Sequence, residues 1–387
     1  MDLFNPKIMT DVFIAADNIF SPLGSTTAAN FEQLKKGVSG VRKQENPAMS
    51  GQPFFASLFE GNENFIKGND KTTYTKFEQL LIASMADALR NSGIAPGDKK
   101  TILIISTTKG NISLLETETV NPSLQKRVAL HHSAKLVAGY FGFANQPIVI
   151  SNACISGLLA IITGMRMLRS GQYENAVIAG ADVISKFVLS GFQSFQAVSA
   201  GHCKPFDASR DGINLGEGAA TIILSSKKEM SNNIKVLSGA VSNDSNHISG
   251  PSRTGEELSQ AITKAMDDAG MSATDIDFIS AHGTATVYND EMEAKAITLA
   301  NLQSVPVNSL KGYYGHTLGA AGLIESIVSF RSMKENLMLP TLGFKNLGVT
   351  KPVNICNTLY KAPLQNCLKT ASGFGSCNAA VIFSKQN

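Results

Sequence analysis

The chain has 387 residues, 43% of them hydrophobic and 17% charged, which is enough apolar material for a large buried core and excludes a disordered chain. A formal net charge of +3 is far from the charge density of a dedicated nucleic-acid binder, and no apolar run is long enough to span a bilayer. Five cysteines (Cys154, Cys203, Cys356, Cys367, Cys377) form no CxxC pair, so neither a disulfide framework nor a zinc site is indicated, no metal is expected, and a reducing cytoplasm fits.

The N-terminus carries no basic, apolar, small-residue leader pattern, and a strand is expected near Asp11 to Ala16. Phe77, Leu80, Leu81, Met85 and Leu89 recur at helical spacing and predict a helix over Lys76 to Asn91, ended by Ser92-Gly93. Thr101 to Ser106, Ile148 to Ser151, Ala176 to Ala179 and Ala220 to Leu224 read as buried strands. Further helices are expected over Ile155 to Arg169, Glu256 to Ala269, Asp290 to Ala300 and Leu318 to Lys334. Strands alternating with helices imply an α/β layering of mostly parallel sheets. The length suggests two packed halves, residues 1–240 and 241–387, meeting in the polar stretch Lys227 to Asn246. One echo links them. IVISNAC (148–154) and FISAHGT (278–284) each run a strand into a reactive residue at a sharp turn.

Cys154 is the nucleophile candidate. The small Ala153 turns the chain after a buried strand, and a thiol at a helix N-terminus feels the positive end of the macrodipole, which is expected to lower its pKa. The other four cysteines read as buried structural residues. His282 and His316 lie in glycine-rich turns, HGTATVYND (282–290) and SLKGYYGHTLGAAGLIE (309–325), with Lys311 beside the second. Two neutral imidazole donors suit the enolate of a decarboxylating thioester, and a thiolate suits a covalent acyl intermediate. That chemistry needs no cofactor. Asn289 or Asp290 equally reads as a cap of the following helix, with Glu293 near the capping-box position.

NACISG (152–157), KPFDASRDGINLGEGAA (204–220), AHGTATVYND (281–290), NSLKGYYGHTLGAAGLIES (308–326) and SGFGSCNAA (372–380) occur together and in order. With them the chain resembles the elongating β-ketoacyl-acyl carrier protein synthases of the thiolase superfamily. The resemblance implies the five-layered αβαβα thiolase fold of two similar halves. It implies an acyltransferase that condenses a Cys154-bound acyl chain with malonyl-acyl carrier protein, in fatty acid or related polyene or polyketide synthesis. His282 and His316 would be the decarboxylation pair, Lys311 would balance charge with Asp290, and Glu325 would support it. Phe374 would gate the acyl pocket, and the Cys154 and Phe374 amides would form the oxyanion hole. Thr284 and Thr286 would bind the pantetheine arm, and Glu217 would satisfy turn amides. Substrates would arrive on the phosphopantetheine of an acyl carrier protein, recruited by Lys71, Lys76, Lys126, Arg127 or Arg210. A homodimer is implied, with the strand before Cys154 near its two-fold axis.

Three other readings share parts of this pattern. A coenzyme A thiolase would use a second cysteine in a C-terminal C-x-G, whereas Cys377 is followed by Asn378-Ala379. A chain-length-factor-like subunit would lack the nucleophile, which leaves the chain as the catalytic member of such a heterodimer. A cysteine hydrolase gives no role to Lys311 or a second histidine. The chain also departs from the family pattern: Ser376-Cys377 replaces the usual Gly-Thr, the loop before KPFD is compressed, and Lys109 stands in STTKGNI where the family lines its acyl pocket. These departures point to a specialised pathway.

Overall fold

In the computed structural model, residues 10–61, 65–66, 73–244 and 250–386 are described. The first half contains β1 (Phe13–Phe20), α1 (Lys76–Ser92), β2 (Thr101–Ser106), α2 (Leu130–Phe141), β3 (Ile148–Ile150), α3 (Ser156–Arg169), β4 (Asn175–Asp182) and β5 (Gly218–Ser225). The second contains β6 (Ile234–Asn243), α4 (Glu256–Ala269), β7 (Phe278–Ser280), α5 (Val287–Leu299), β8 (Pro306–Asn308), α6 (Ala321–Glu335), β9 (Asn366–Gly373) and β10 (Cys377–Lys385).

The strand orders are β1-β5-β4-β2-β3 in the first half and β6-β10-β9-β7-β8 in the second, the latter extended by the short strand Asn354–Ile355. In both halves the first three strands run antiparallel and the rest parallel. One residue pair, Phe13 with Lys235, links the two sheets edge to edge. The halves therefore repeat one topology, position by position.

Alternation along the strands assigns the layers. In β2, Ile102 and Ile104 face a central core with α3 and α6, whereas Leu103 and Ile105 face an outer core with α1 and α2. In β10, Ala379, Val381 and Phe383 face the central core, and Ala380 and Ile382 face α4 and α5. The result is αβαβα, with α3 and α6 as the shared middle layer. Helix α6 is buried on nearly every face, as a helix between two sheets must be.

Local signals account for most boundaries. Thr75 and Glu78 form a capping box at the start of α1, and Gly93 ends it in the left-handed conformation. Helix α4 spans the predicted residues and ends at Gly270. Helix α5 begins three residues before the expected Asp290. The stretch Lys227 to Asn246 is not merely a polar junction: it contains β6, and residue 240 falls inside that strand. Its Ser and Asn residues hid it; Ser238 is buried and donates to the Ala265 carbonyl.

The echo between IVISNAC and FISAHGT is displaced by one strand. In the repeated topology β3 before Cys154 corresponds to β8 before Lys311 and His316, and β7 before His282 corresponds to β2 before STTKGNI. Both motifs end buried parallel strands, so they look alike without being equivalent.

The middle helices touch through glycine. A Cβ on Gly157 would lie 3.0 Å from the Leu323 amide nitrogen, and one on Gly322 would lie 2.9 Å from that of Leu158. Neither backbone can give way without moving a helix. Gly322→Ala is therefore expected to destabilise the protein by about 1–3 kcal/mol, read as a lowered Tm in thermal denaturation.

Candidate active site

Cys154 sits in a strained turn. Ala153, before it, has φ of 43°, a conformation unusual for a residue with a side chain. Ser156 fastens the turn, accepting from the Asn152 amide at 2.8 Å and donating to the Ala153 carbonyl at 2.7 Å. The thiol is thereby presented two residues before α3.

His316 stands ahead of α6, two residues before the 3-10 turn Leu318–Ala320 that leads into that helix. Its amide donates to the Asn214 carbonyl at 2.7 Å, and its carbonyl accepts from the Gly216 amide at 3.0 Å. His316 Nε2 lies 2.9 Å from Cys154 Sγ. The His282 ring stands edge-on to the His316 ring, with centroids 5.2 Å apart and planes at 81°. Cys154, His282 and His316 are all buried, and their nearest ligand-capable atoms lie within 4.8 Å of one another.

Burial sets the protonation states. It pushes the Cys154 thiol up to about 12, against the pull of Lys311 and Lys109. Burial, followed by Lys311, lowers both imidazoles well below their ordinary value. Burial thus opposes the expected lowering of the thiol by the helix terminus and favours a neutral thiol beside a neutral imidazole.

The loops are held by buried acids. Glu293 accepts from the His282 amide at 2.8 Å and the Gly283 amide at 2.7 Å, so it anchors the loop rather than capping α5. Asp182 accepts from the Gly319 amide at 2.7 Å and from the Thr107 hydroxyl at 2.7 Å. It ties the start of the α6 segment to the STTKGNI loop, whose Lys109 amide it also accepts at 3.4 Å. Glu217 satisfies turn amides as expected, accepting from Phe59 and Ile184, each at 3.1 Å.

Lys311 is not balanced by Asp290. Its ammonium donates to the His282 carbonyl at 2.9 Å and pairs with Glu325. Asp290 instead accepts from the Phe206 amide at 2.7 Å and the Ala285 amide at 3.2 Å, with Arg210 Nε at 3.9 Å. Burial pushes its carboxyl up to about 7, against the Phe206 amide and Arg210. The chain distance to Lys311 hid this division of labour.

A pocket of about 310 Å³ opens onto the trio. Phe192, Phe195 and Phe374 form an aromatic wall, the Phe374 ring lying 5.8 Å and 5.5 Å from the other two. Thr284 and Thr286 line the pocket and share a 2.9 Å hydrogen bond. Gly373 abuts Cys154: a Cβ there would lie 2.9 Å from the Cys154 amide nitrogen.

The expected docking cations fare unevenly. Lys76 pairs with Glu217 at 2.6 Å, Arg127 pairs with the buried Glu78, and Arg210 is buried and donates to the Gly348 carbonyl at 2.6 Å. These three serve the fold. Lys126 has no ion-pair partner among the described residues, and Lys71 lies outside them. Cys203, Cys356, Cys367 and Cys377 are free and buried.

Comparison with known proteins now places the chain. Residues 9–230 match the N-terminal domain of beta-ketoacyl synthases, and residues 234–345 match the C-terminal domain. The chain belongs to the beta-ketoacyl synthase family. It is similar to a putative mitochondrial 3-oxoacyl-[acyl-carrier-protein] synthase of Schizosaccharomyces pombe, 26% identical in an alignment covering 97% of this chain and 99% of that protein. It is similar to 3-oxoacyl-[acyl-carrier-protein] synthase 2 of Vibrio cholerae, 28% identical with 97% and 99% coverage. Among solved structures, the ishigamide ketosynthase/chain length factor superposes with a TM-score of 0.91 at 25% identity, covering 98% of this chain and 100% of that one. The enzyme thus has the thiolase fold and is an acyl-transferring condensing enzyme. No helix among its described residues is long and apolar enough to cross a membrane.

Lys369 was missed in the sequence. It is buried, lies 2.7 Å from Glu325 and makes Glu325 the shared partner of two ammonium groups. Glu325→Gln leaves two buried cations without a counter-charge. It is expected to cost about 3–5 kcal/mol, measured by urea denaturation at neutral pH.

Proposed function

We propose that the enzyme is a 3-oxoacyl-acyl carrier protein synthase in which Cys154 carries the primer and His282 and His316 act on the extender. The observation that carries this reading is the 2.9 Å approach of His316 Nε2 to the Cys154 thiol, with a second neutral imidazole beside it.

In the first half-reaction the Cys154 sulfur attacks the acyl thioester. Its proton passes to His316 and then to the departing pantetheine sulfur, so a thioester is exchanged for a thioester and a thiol. The neutral resting pair suits this order, because the proton leaves sulfur only as the new bond forms. In the second, malonyl thioester loses carbon dioxide, and the electron pair of the broken bond becomes an enolate. His282 and His316 donate to its oxygen. The enolate carbon attacks the Cys154 thioester, the tetrahedral oxyanion sits at the Cys154 and Phe374 amides, and Cys154 sulfur leaves as a thiolate that takes up, through His316, the one proton the condensation consumes from water. Thr284 and Thr286 hold the pantetheine arm in the pocket wall. No metal or redox group takes part in this sequence.

The carrier is an acyl carrier protein, supported by the names of the relatives; Lys126 is the remaining described candidate for its docking. A second subunit would pair with the edge strand β3; what supports this is that β3 pairs only with β2 among the described residues and is half-buried. A homodimer is the first reading. A heterodimer with a chain-length-factor-like subunit is the second, favoured by the superposition on the ishigamide ketosynthase/chain length factor. Size and mass measurement of the protein alone separates them: a stable dimer of the single chain supports the first, a monomer the second.

Intact mass after incubation with a panel of acyl-carrier proteins tests the mechanism. Wild type gains the acyl mass, and malonyl-carrier protein discharges it as a 3-oxoacyl product. Cys154→Ala gains none, yet retains carbon dioxide release from malonyl-carrier protein within about tenfold of wild type, since the two donors remain. No acylation of folded wild type by any carrier overturns the reading.

The pH dependence follows from the imidazoles. Their pKa values lie below the ordinary value, so lowering the pH from 8 towards 6 does not charge them. Decarboxylation is expected to stay flat across about pH 6–8 rather than decline near 6.5, as it would for an ordinary histidine. Initial rates of carbon dioxide release across that range check this.

A further inference from the structure

Lys369 is a lysine in the middle of a strand whose neighbours are buried. Its side chain has no solvent exposure, and its ammonium is fully engaged. It donates to the carbonyls of Ser280 at 3.0 Å, Ala281 at 3.2 Å and Thr370 at 2.8 Å, and it lies 2.7 Å from Glu325. Ser280 and Ala281 are the two residues before His282. Glu325 in turn pairs with Lys311, which donates to the His282 carbonyl. Two cations and one anion thus grip three consecutive carbonyls, residues 280 to 282, from behind the imidazole.

A Lys–Glu pair alone would be neutral. The second lysine answers a second buried acid, Glu293, which accepts from the His282 and Gly283 amides and from the Thr370 hydroxyl, so two lysines and two acids surround the His282 loop at a cost in desolvation that strand formation does not require. We propose that Lys369 is a positioning residue for the decarboxylation step, aiming His282 at the enolate oxygen and holding it as a neutral donor through the carbonyls and the Glu325 bridge. The charge acts twice. It opposes a proton on His282, and it favours the negative charge that develops on the substrate in front of the ring. Burial and Lys311 push His282 in the same direction, with Lys369 adding to them. Lys369 does not touch the substrate; it works through His282. The inference rests on the proposed decarboxylating chemistry, and its test separates the two.

Full-length wild type, Lys369→Met and Lys369→Arg are compared in two half-reactions: acylation of Cys154 by acyl-carrier protein, and carbon dioxide release from malonyl-carrier protein. Circular dichroism establishes folding first. Lys369→Met is expected to lose about tenfold or more in carbon dioxide release while acylation changes less than about threefold, and its acid limb moves to higher pH. Lys369→Arg, which keeps the charge, recovers most of the rate. Equal losses in both half-reactions would mean that Lys369 only supports the fold, and no loss in either would mean that it is idle; each overturns the inference. Wild type that releases no carbon dioxide overturns the proposed function instead. Should Lys369→Met not fold, ¹⁵N-histidine spectra of wild type decide: the His282 ring is expected to stay neutral across about pH 6–8, and a titration near 6.5 overturns the inference.

Discussion

The site depends on the contact of α3 with α6 across Gly157 and Gly322. Each glycine lies against backbone of the other helix, so the two axes approach as closely as main chain allows. Because the halves repeat one topology, these helices hold equivalent places, and their N-terminal ends meet. The residues just before them, Cys154 and His316, are therefore brought to hydrogen-bond distance from opposite halves of the chain. Larger residues at the crossing would separate the helices and with them the thiol and the imidazole. Catalytic geometry and core packing are here the same constraint.

Two helix N-termini converging on one pocket favour negative charge there. The neutral resting thiol shows the limit of that effect. Burial raises the Cys154 thiol against the pull of the helix terminus and of Lys311. Burial wins in the resting site. The same dipoles matter more once charge appears on substrate oxygens. In a closed pocket no water competes for that charge. Around this centre, Glu293, Asp182 and Glu217 each collect backbone amides from loops that carry or adjoin the reacting groups. Loops that would otherwise leave N–H groups unsatisfied are fixed in one arrangement. The cost of burying those acids is offset by the amides they gather.

The three residues of the proposed centre were legible in the sequence because turn chemistry marks them. Cys154, His282 and His316 each follow a buried strand with small residues beside them, and the structure brings all three together. Strands and helices with clean periodicity, such as α1 and α4, matched closely for the same reason. What periodicity could not show was long-range partnership. Lys311 with Glu325, Asp290 with Phe206 and Arg210, and Glu293 with the His282 loop join residues from different elements, and spacing along the chain carries no record of them. Strand β6 was lost because its buried serine and glycine look like linker residues. Lys369 left one signal, a charge inside a strand whose other residues are buried, and such a charge must have a partner. The strand echo misled for a converse reason: sharp turns after buried strands recur wherever a parallel sheet presents side chains at its carboxyl ends.

The position of β3 links assembly to chemistry. It is the outermost strand of its sheet, half-buried, with one edge unpaired among the described residues. Unpaired edges invite another strand. Only Ser151, Asn152 and Ala153 separate its last residue, Ile150, from Cys154, and the strained turn at Ala153 closes that connection. A subunit added to that edge would therefore sit beside the acylated thiol, and its side chains would help to shape the space the acyl chain enters. The aromatic wall of Phe192, Phe195 and Phe374 belongs to this chain and faces the pocket mouth. On that arrangement the reacting groups and the wall that admits substrate are set by this sequence alone, whereas acyl length is set jointly with whatever pairs with β3. The same Cys-His-His centre could then serve different chain lengths by exchange of partner, with no change to the residues that make and break bonds.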